Sequence, residues 1–442
     1  MKKIFIFILL TVICLGVFDT PSTHAYFGIK DDTKVTEYVE GIRHTKIIGT
    51  IEHDGKETKQ VMNYVSANVQ KYDDLNIVVG DNYSPHQDEN QKWGMSNLLV
   101  IIDNVHSRYD NFEVIAGVNG DFYDINDTGR PSSTHIRNFE IIHRGAINNC
   151  PIIGFKDNGE VVFGLPEFDG YELLIYNDEG QLKKKINVDH INSDPTSDDE
   201  ISVYFDNYLS ALPAQYTKVY MDASETKITE VQGNYFGRGV FANQTTDVLD
   251  IEEHQFVIVG HEFNSDQLIS ESDYAVIQYK IVGEFEGVRS AIGSWSYPLV
   301  KDGIVNSVLT ADAYSKYPAP RTAVGIKEDG TVFFIVIDGR NKPMGMEGTT
   351  LLETAELMAY LGAVDAFNVD GGGSSTMALK DVELGGYSIL NTPSDGRLRS
   401  VSNGMFFVKG MHEAVPEPIP AWPDTRAQLD MPTNIYLDIN NT

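Results

Sequence analysis

The sequence predicts an α+β fold in which mixed β-sheets dominate and a few helices pack against them. Short apolar runs separated by polar turns recur along the chain, most densely over residues 170–290, as in KVYMDA, HQFVIVG and YAVIQYKIVG. Such runs are typical of strands. Residues 154–164 and 325–335 each place Asn-Gly or Asp-Gly between apolar runs, which predicts two β-hairpins. Two further segments have helical spacing.

The elements follow in order along the chain. TKIIGTI and NIVVGD predict early strands, and residues 98–105 predict an amphipathic helix with Ser96 as a candidate N-cap. EVIAGVNGDFYD predicts a buried strand that enters a glycine turn. Thr350 and Glu353 form a capping-box pattern before a second helix, and Gly362 predicts its end. The strand VDAFNV then leads to Asp370 and three glycines.

Composition limits the class of partner. The chain has 442 residues and a formal net charge of -30, so nucleic acid and anionic lipid surfaces would repel it. Cys14 and Cys150 are the only two cysteines in the sequence. Removal of the N-terminal segment would leave Cys150 alone, which excludes an intramolecular disulfide and a cysteine-ligated zinc site.

The two ends of the chain differ from the rest. Residues 1–25 combine Lys2 and Lys3, an apolar run and Thr23-x-Ala25, which predicts a cleaved secretory signal peptide and an extracellular protein. A retained anchor is the alternative, and association with the cell wall is left open. Residues 26–112 are assigned to an N-terminal part of the catalytic unit and 113–408 to its main domain. Residues 409–442 are Pro-rich and acidic, as in a linker or tail.

Candidate site residues lie at strand ends, where binding and catalytic groups are commonly found. Asn119 and Asp121 close one strand, Arg321 precedes another, and Asp338 and Arg340 follow a continuous apolar run. Desolvation at a strand mouth raises a carboxyl pKa and suits acid–base work. Each residue taken alone also fits a purely structural role. The acids can cap turns, and Arg321 can form a surface ion pair.

The stretch AFNVDGGGSSTMAL is more specific. Asp370 ends a strand, and Gly371, Gly372 and Gly373 permit close approach of a ligand or an anion-binding nest of backbone N–H groups. Ser374 and Ser375 add hydroxyl donors, and Arg399 lies in a later patch that also holds Asn391, Asp395, Arg397 and Asn403. No lysine follows the glycines and no G-x-S-x-G occurs, so neither a Walker loop nor a nucleophile elbow is predicted.

In combination, VNGDFYD, PRTAVGIKEDGTVFFIVIDGR, GTTLLETAELMAYLGAVDAFNVDGGGSSTM and RSVSNGMFFV resemble, in order, the motifs of the phosphodiester glycosidase family. The resemblance is strongest over 113–165 and 290–408. It implies hydrolysis of a sugar-1-phosphodiester such as a GlcNAc-1-phosphodiester, and it maps the functional positions onto Asn119, Asp121, Arg321, Asp338, Arg340, Asp370, Gly371, Gly372, Gly373, Ser374, Ser375 and Arg399. Ser400 departs from the proline that family members commonly have there.

This resemblance and the residue chemistry give one hypothesis and two alternatives. We expect Asp338 and Asp370, with Asp121 as a lesser candidate, to stabilise an oxocarbenium-like state, and Arg321 and Arg399 to bind phosphate. No cofactor is required, and the expected partner is a phosphorylated glycan or glycopolymer. The first alternative is a phosphodiesterase that cuts P–O with Ca²⁺ or Mg²⁺ held by the three aspartates. The second is a non-catalytic carbohydrate-binding protein of the envelope.

Overall fold

The computed structural model describes residues 34–39, 41–53, 56–83, 93–109, 111–145, 150–208, 210–223, 237–260, 269–310, 316–383 and 385–410. The predicted signal peptide lies outside these residues, as does the predicted tail beyond 410. The signal and most of the tail therefore stay predictions from sequence.

Within the described residues, β-strands dominate. Their bounds, numbered in chain order, are β1 Lys34–Val39, β2 Ile42–His53, β3 Lys56–Ala67, β4 Leu75–Asp81, β5 Glu113–Asn119, β6 His135–Arg137, β7 Glu140–His143, β8 Ile152–Lys156, β9 Val161–Gly164, β10 Glu167–Tyr176, β11 Leu182–Val188, β12 His190–Ile191, β13 Ser202–Phe205, β14 Thr217–Asp222, β15 Gly237–Thr245, β16 Gln255–Gly260, β17 Tyr274–Val282, β18 Val288–Gly293, β19 Val300–Lys301, β20 Ile304–Val305, β21 Arg321–Lys327, β22 Val332–Ile337, β23 Ala363–Asn368, β24 Met377–Asp381, β25 Gly386–Ile389 and β26 Asn403–Lys409. The two α-helices of this part of the chain are α1 Leu98–Arg108 and α2 Leu351–Tyr360.

Two sheets face each other and hold the site between their ends. The first has the order β1-β2-β3-β22-β21-β23-β19-β20 and the second β25-β24-β5-β26-β4. A shared apolar core joins them, with Val324, Phe334 and Phe367 from the first sheet against Val118 and Phe407 from the second. Stacking of Phe334 on Phe407, with centroids 4.3 Å apart, shows how closely the faces meet.

Each helix covers the outer face of one of these sheets. Helix α2 buries Leu351, Ala355 and Met358 against the first sheet, and α1 buries Ile101 and Val105 against the second. The result is a four-layer arrangement of helix, sheet, sheet and helix.

The sequence predicted the start of α2 correctly and placed the start of α1 one residue too early. The capping box of α2 is confirmed, because Thr350 accepts from the Glu353 N–H and the Glu353 side chain accepts from the Thr350 N–H. The N-cap of α1 is Asn97 and not Ser96: Asn97 accepts from two backbone N–H groups of the first turn. Ser96 instead forms a β-bridge with Val401. Both residue types cap helices well, so local sequence could not separate them.

Two further sheets lie beside this pair. The middle of the chain forms the order β11-β10-β17-β15-β14-β16-β13-β12, and a smaller sheet has the order β7-β6-β18-β8-β9. The two predicted hairpins are confirmed as β8–β9 and β21–β22. The fold is thus mostly β, and α+β overstates its helical part. Neither α-helix in the described ranges has the length and apolar character to cross a bilayer.

Candidate functional site

The site lies at one end of the paired sheets. Strand β21 runs antiparallel to both β22 and β23, so the ends of β22 and β23 meet at the same edge. In the facing sheet, β26 runs antiparallel to β4 and β5, which places the end of β5 beside the start of β26. The edges are joined directly, because the Asp370 N–H donates to the Gly120 carbonyl at 2.9 Å. Residues 250 positions apart in sequence thereby meet at one edge.

The glycine bend after β23 lies at this edge, and the structure explains why two of its positions are glycine. Gly372 has φ +63°, a left-handed conformation that costs glycine little. A Cβ on Gly373 would lie 2.0 Å from an Arg399 guanidinium nitrogen and 2.4 Å from an Asp395 carboxylate oxygen, so only glycine allows that approach. The bend itself is buried beneath side chains, while Asp370 is partly exposed.

Backbone N–H groups of the bend bond mainly within the protein. The Gly371 N–H donates to the Asp370 carboxylate at 2.9 Å, and the Gly372 N–H donates to the Pro320 carbonyl at 2.8 Å. The N–H groups of Ser374 and Ser375 donate to carbonyls of the same bend. These N–H groups are therefore already bonded to protein acceptors and do not form the predicted anion-binding nest. The glycines serve to bring side chains close to one another.

Two arginines cover the bend. Arg399 lies against Gly373 and its Nε donates to Asp395 at 2.8 Å. Arg340 lies against Gly372, since a Cβ there would be 2.8 Å from Arg340 Nη1. Arg340 has φ +53°, a sparsely populated conformation for a non-glycine residue. Such strain is often found at functional sites, and here it aims an exposed guanidinium group at the bend.

Two carboxyl groups interact at this edge, and one of them, Asp370, faces the arginines. Burial raises the pKa of Asp370 to about 6, and Ser374, the Gly371 N–H, Arg399 and Arg340 limit the rise. Burial also raises the pKa of Asp121 to about 8, and the negative charge of Asp370 adds to that rise. Asp121 accepts from the Ser133 N–H at 2.9 Å and lies against Gly293. Of the two carboxyl groups, Asp121 therefore keeps its proton to the higher pH, and Asp370 ionises first.

Asn119 and Ser375, both predicted to bind substrate, instead form hydrogen bonds within the protein beneath the site. Asn119 is fully buried; its Nδ2 donates to the Asp370 carbonyl at 2.6 Å, and its Oδ1 accepts from Thr322 Oγ1 at 2.9 Å and from the Thr376 N–H at 3.1 Å. Ser375 Oγ lies 3.2 Å from Thr322 Oγ1, within hydrogen-bond distance. These bonds hold β5, β21 and the bend together. Ser374 Oγ, by contrast, is buried and has no hydrogen-bond partner that meets geometric criteria.

Arg321 lies at the same edge and contacts carbonyl groups. Its side chain is buried, with Nε donating to the Thr349 carbonyl and Nη2 to the Tyr317 carbonyl, both at 2.9 Å. Alternation along β21 explains this orientation: Thr322 faces Asn119 between the sheets, so Arg321 faces the side covered by α2. The sequence located this arginine correctly at a strand end but could not show which face its side chain takes.

Asp338 also lies at this edge, one strand beyond β21. It is buried, burial raises its pKa, and its carboxylate accepts from the Thr392 N–H at 2.9 Å. Asn391, next in the chain, donates to the Ser375 carbonyl at 2.9 Å. Asp338 therefore contacts the bend through the 391–392 segment, whereas Asp121 influences Asp370 directly.

Sequence reasoning missed several neighbours of the carboxyl pair. The Tyr123 hydroxyl donates to the Ser400 carbonyl at 2.8 Å, and Ser374, Asp370 and Arg399 all affect its pKa, which burial raises. Ser133 donates to Asp121 from the segment that follows VNGDFYD, and His135, the first residue of β6, contacts Asn403. Tyr123 belongs to that motif, so the motif itself was a signal for it. Nothing in the local sequence marks Ser133 or His135.

This edge of the paired sheets thus holds two interacting carboxyl groups, with two guanidinium groups beside one of them, Asp370. Residues 225–408 match the model of the family described as phosphodiester glycosidase, which confirms the resemblance found in the sequence. The matched range holds Asp370, the glycines and all three arginines. Asn119 and Asp121 precede it, and the structure brings them to it.

Known proteins give more distant similarities. The chain is 37% identical over 119 residues to an SPbeta prophage-derived uncharacterized protein, YomE, of Bacillus subtilis strain 168; the match covers 26% of this chain and 17% of that protein. Among solved structures, a hypothetical protein from Synechocystis superposes with a TM-score of 0.49 and 17% identity, over 86% of this chain and 64% of the other. The zebrafish N-acetylglucosamine-1-phosphodiester alpha-N-acetylglucosaminidase catalytic domain, auto-inhibited by its pro-peptide, gives 0.43 and 13%, over 87% and 88%.

Proposed function

We propose that this protein hydrolyses a sugar-1-phosphodiester of the GlcNAc-1-phosphodiester type at the anomeric C–O bond. One observation carries the proposal: Asp370 interacts electrostatically both with Arg399 and Arg340 over the glycine bend and with the buried carboxyl group of Asp121. The family match over residues 225–408 supports the same general activity. The products are the free sugar and a phosphomonoester.

Arg399 and Arg340 are assigned to the phosphate. Two guanidinium groups stand over one glycine bend, where Asp395 is the acidic partner of Arg399. Guanidinium groups bind phosphate oxygens with charge-assisted hydrogen bonds. Ser374 Oγ, buried beside Asp370, provides a further donor. Arg321, which we first assigned to phosphate, is reassigned to holding its strand end in place.

The two carboxyl groups take different parts. When the C1–O bond breaks, the electron pair leaves with the phosphate oxygen and positive charge develops at the sugar ring. The ionised Asp370 stabilises that charge, and the protonated Asp121 prevents a second negative charge from building up beside it. Water supplies the hydroxyl group at C1, and its proton passes to the phosphomonoester. The arginines stabilise this leaving group, so no strong general acid is needed.

The predicted signal peptide supports action outside the cell, on envelope or extracellular glycopolymers.

The test is incubation with a GlcNAc-α-1-phosphodiester in ¹⁸O-labelled water. We expect free GlcNAc with the label at C1 and an unlabelled phosphomonoester seen by ³¹P NMR. Asp370→Asn should abolish turnover, whereas Asp365→Asn, on the preceding strand β23 and paired with Lys301, should retain it. Both variants are checked for folding by circular dichroism.

Each other result favours a stated alternative. Label in the phosphate group, release of sugar-1-phosphate and inhibition by a chelator would identify a metal-dependent phosphodiesterase. Saturable binding of the diester without any product would identify a carbohydrate-binding protein. An intact diester with no binding would contradict the proposal for this sugar.

A further inference from the structure

Behind Asp121 lies a row of buried polar side chains that the proposed reaction does not itself use. Asp81, His135 and Asn403 are each fully buried. Asp81 Oδ2 lies 2.8 Å from His135 Nε2, and His135 Nδ1 lies 3.3 Å from Asn403 Nδ2. Asn403 Oδ1 then accepts from the Asp121 N–H at 2.8 Å. The row thus leads from the end of β4 to the backbone of a candidate catalytic carboxyl residue.

The two ends of this row fix the direction of every hydrogen bond within it. A backbone N–H can only donate, so the Asn403 atom facing Asp121 is its oxygen and the atom facing His135 is its NH₂ group. That NH₂ group donates, so His135 Nδ1 must be an unprotonated acceptor. His135 Nε2 then carries the proton and donates to Asp81. The row accommodates the neutral Nε2–H imidazole, since a proton on Nδ1 would face another donor.

Asp81 is held as an acceptor at the far end. Burial alone would raise its pKa, but Arg137, His135 and Arg108 together hold it well below its usual range. Arg137 contacts both carboxylate oxygens, at 2.6 and 2.7 Å, and Arg108 lies 3.2 Å from one of them. An ionised carboxylate has no proton to donate, so it admits only a donor from His135.

Asn403 also reaches the second carboxyl residue. Its main-chain carbonyl accepts from the Gly120 N–H at 3.0 Å, and the Gly120 carbonyl accepts from the Asp370 N–H at 2.9 Å. A Cβ on Gly120 would lie 2.5 Å from Asn403 Oδ1 and 1.9 Å from Ile292, so only glycine lets the two loops meet. One asparagine therefore ties the backbones of Asp121 and Asp370 to the same strand start.

We infer that His135 and Asn403 are positioning residues, in which the Asp81-anchored imidazole holds the Asn403 amide in the one orientation that fixes the Asp121 backbone. The catalytic consequence rests on the proposed function. The structural part does not, because it concerns the orientation of an amide group in the unliganded protein.

Hydrogen–deuterium exchange followed by mass spectrometry tests the structural part without substrate. In His135→Leu the Asn403 amide loses the acceptor that orients it, so exchange in peptides over residues 119–124 should quicken by about fivefold, the effect of one lost hydrogen bond. His135→Asn keeps an oxygen near the Nδ1 position and should restore most of the protection. Gln278→Leu, which removes an equally buried amide from another sheet, should leave 119–124 unchanged.

Kinetics test the catalytic part. Because Arg340 and Arg399 are untouched, His135→Leu should lower kcat on the order of 10²-fold while KM changes little, since a displacement of about 1 Å is sufficient for such a loss. His135→Asn should recover much of kcat, and Gln278→Leu should match the wild-type protein per folded molecule.

The outcomes separate the two claims. Unchanged exchange over residues 119–124 in His135→Leu, or equal effects of the leucine and asparagine variants, would overturn the inference. A fall in both kcat and exchange protection everywhere would show general destabilisation and also overturn it. A wild-type protein that leaves the diester intact would refute the proposed function alone, since the exchange result needs no substrate.

Discussion

Replacement of Asp121 by asparagine should stabilise the protein at neutral pH. The folded-state pKa of Asp121 is raised to about 8 from 3.8, so between these values the folded protein binds a proton that the unfolded chain does not. Unfolding therefore becomes easier as pH rises through this window. From 3.8 to pH 7 is roughly three pH units, and at 1.36 kcal/mol each this amounts to about 4 kcal/mol. Asparagine is neutral at every pH and avoids this cost.

The amide also fits the contacts. Its oxygen can accept from the Ser133 N–H, and its NH₂ group can donate to Ser133 Oγ, now 3.4 Å from the carboxyl group. The variant therefore replaces a neutral carboxyl group with a neutral amide of nearly the same shape. The stability gained should come from the removed titration and not from new packing.

Urea unfolding of both proteins at pH 5 to 9 measures the effect. The difference in unfolding free energy should grow by about 1.4 kcal/mol per pH unit up to pH 8 and then level off. Asp124→Asn is the control in the same loop. Hydrogen bonds from Thr128, Asn126 and Asp127 hold the pKa of Asp124 below its usual value, so its replacement should not alter the pH dependence above pH 5. Parallel stability curves for wild type and Asp121→Asn would refute the reasoning.

Three further predictions concern activity. The rate should rise through pH 6 as Asp370 ionises and fall near pH 8 as Asp121 loses its proton, and initial rates of Asp121→Asn should lack the upper limb. Arg399→Ala should raise KM at least tenfold, as expected for a lost charge-assisted bond, whereas Arg321→Ala should chiefly lower the thermal midpoint by removing buried bonds to carbonyls. Asp338→Asn should keep most activity, because an amide oxygen can accept from the same backbone donor.

Each of these has an opposing result. A single-limbed pH profile for the wild-type protein would contradict the division of roles between the carboxyl groups. An unchanged KM in Arg399→Ala would remove this arginine from the phosphate site. Loss of activity in a well-folded Asp338→Asn would return Asp338 to the reacting centre, where the sequence first placed it.

Local patterns in the sequence were sufficient wherever a structure depends on near neighbours. The capping box at Thr350, the hairpin turns and the left-handed Gly362 after α2 all follow from short-range steric and hydrogen-bond rules. The N-cap of α1 shows the limit of local patterns, because Ser96 and Asn97 are adjacent and both residue types cap helices well. Ser96 forms a β-bridge with the distant Val401, which leaves Asn97 as the cap.

The sequence predicted which strand ends carry the candidate site residues, but not how their side chains are arranged in space. Asp370, Arg340 and Arg399 meet at the bend as the motifs suggested. Side chains alternate along β21, and the position of the facing sheet decides which of them point into the site. Local sequence does not show that position, so it could not show that Arg321 points away from the site. Asn119 was predicted as a site residue because it lies at a strand end. In the structure its side chain forms hydrogen bonds that hold the strands together.

The sequence by itself determined the elements, the strand-end chemistry and the family resemblance, because propensity, turn geometry and motif spacing are written in neighbouring residues. Only the tertiary structure decided which carboxyl group stands beside Asp370, which arginines cover the glycines, and that His135 reaches Asn403. The physical reason is that burial and proximity set these charges and hydrogen bonds, and both arise from segments hundreds of residues apart that meet at one edge of two packed sheets.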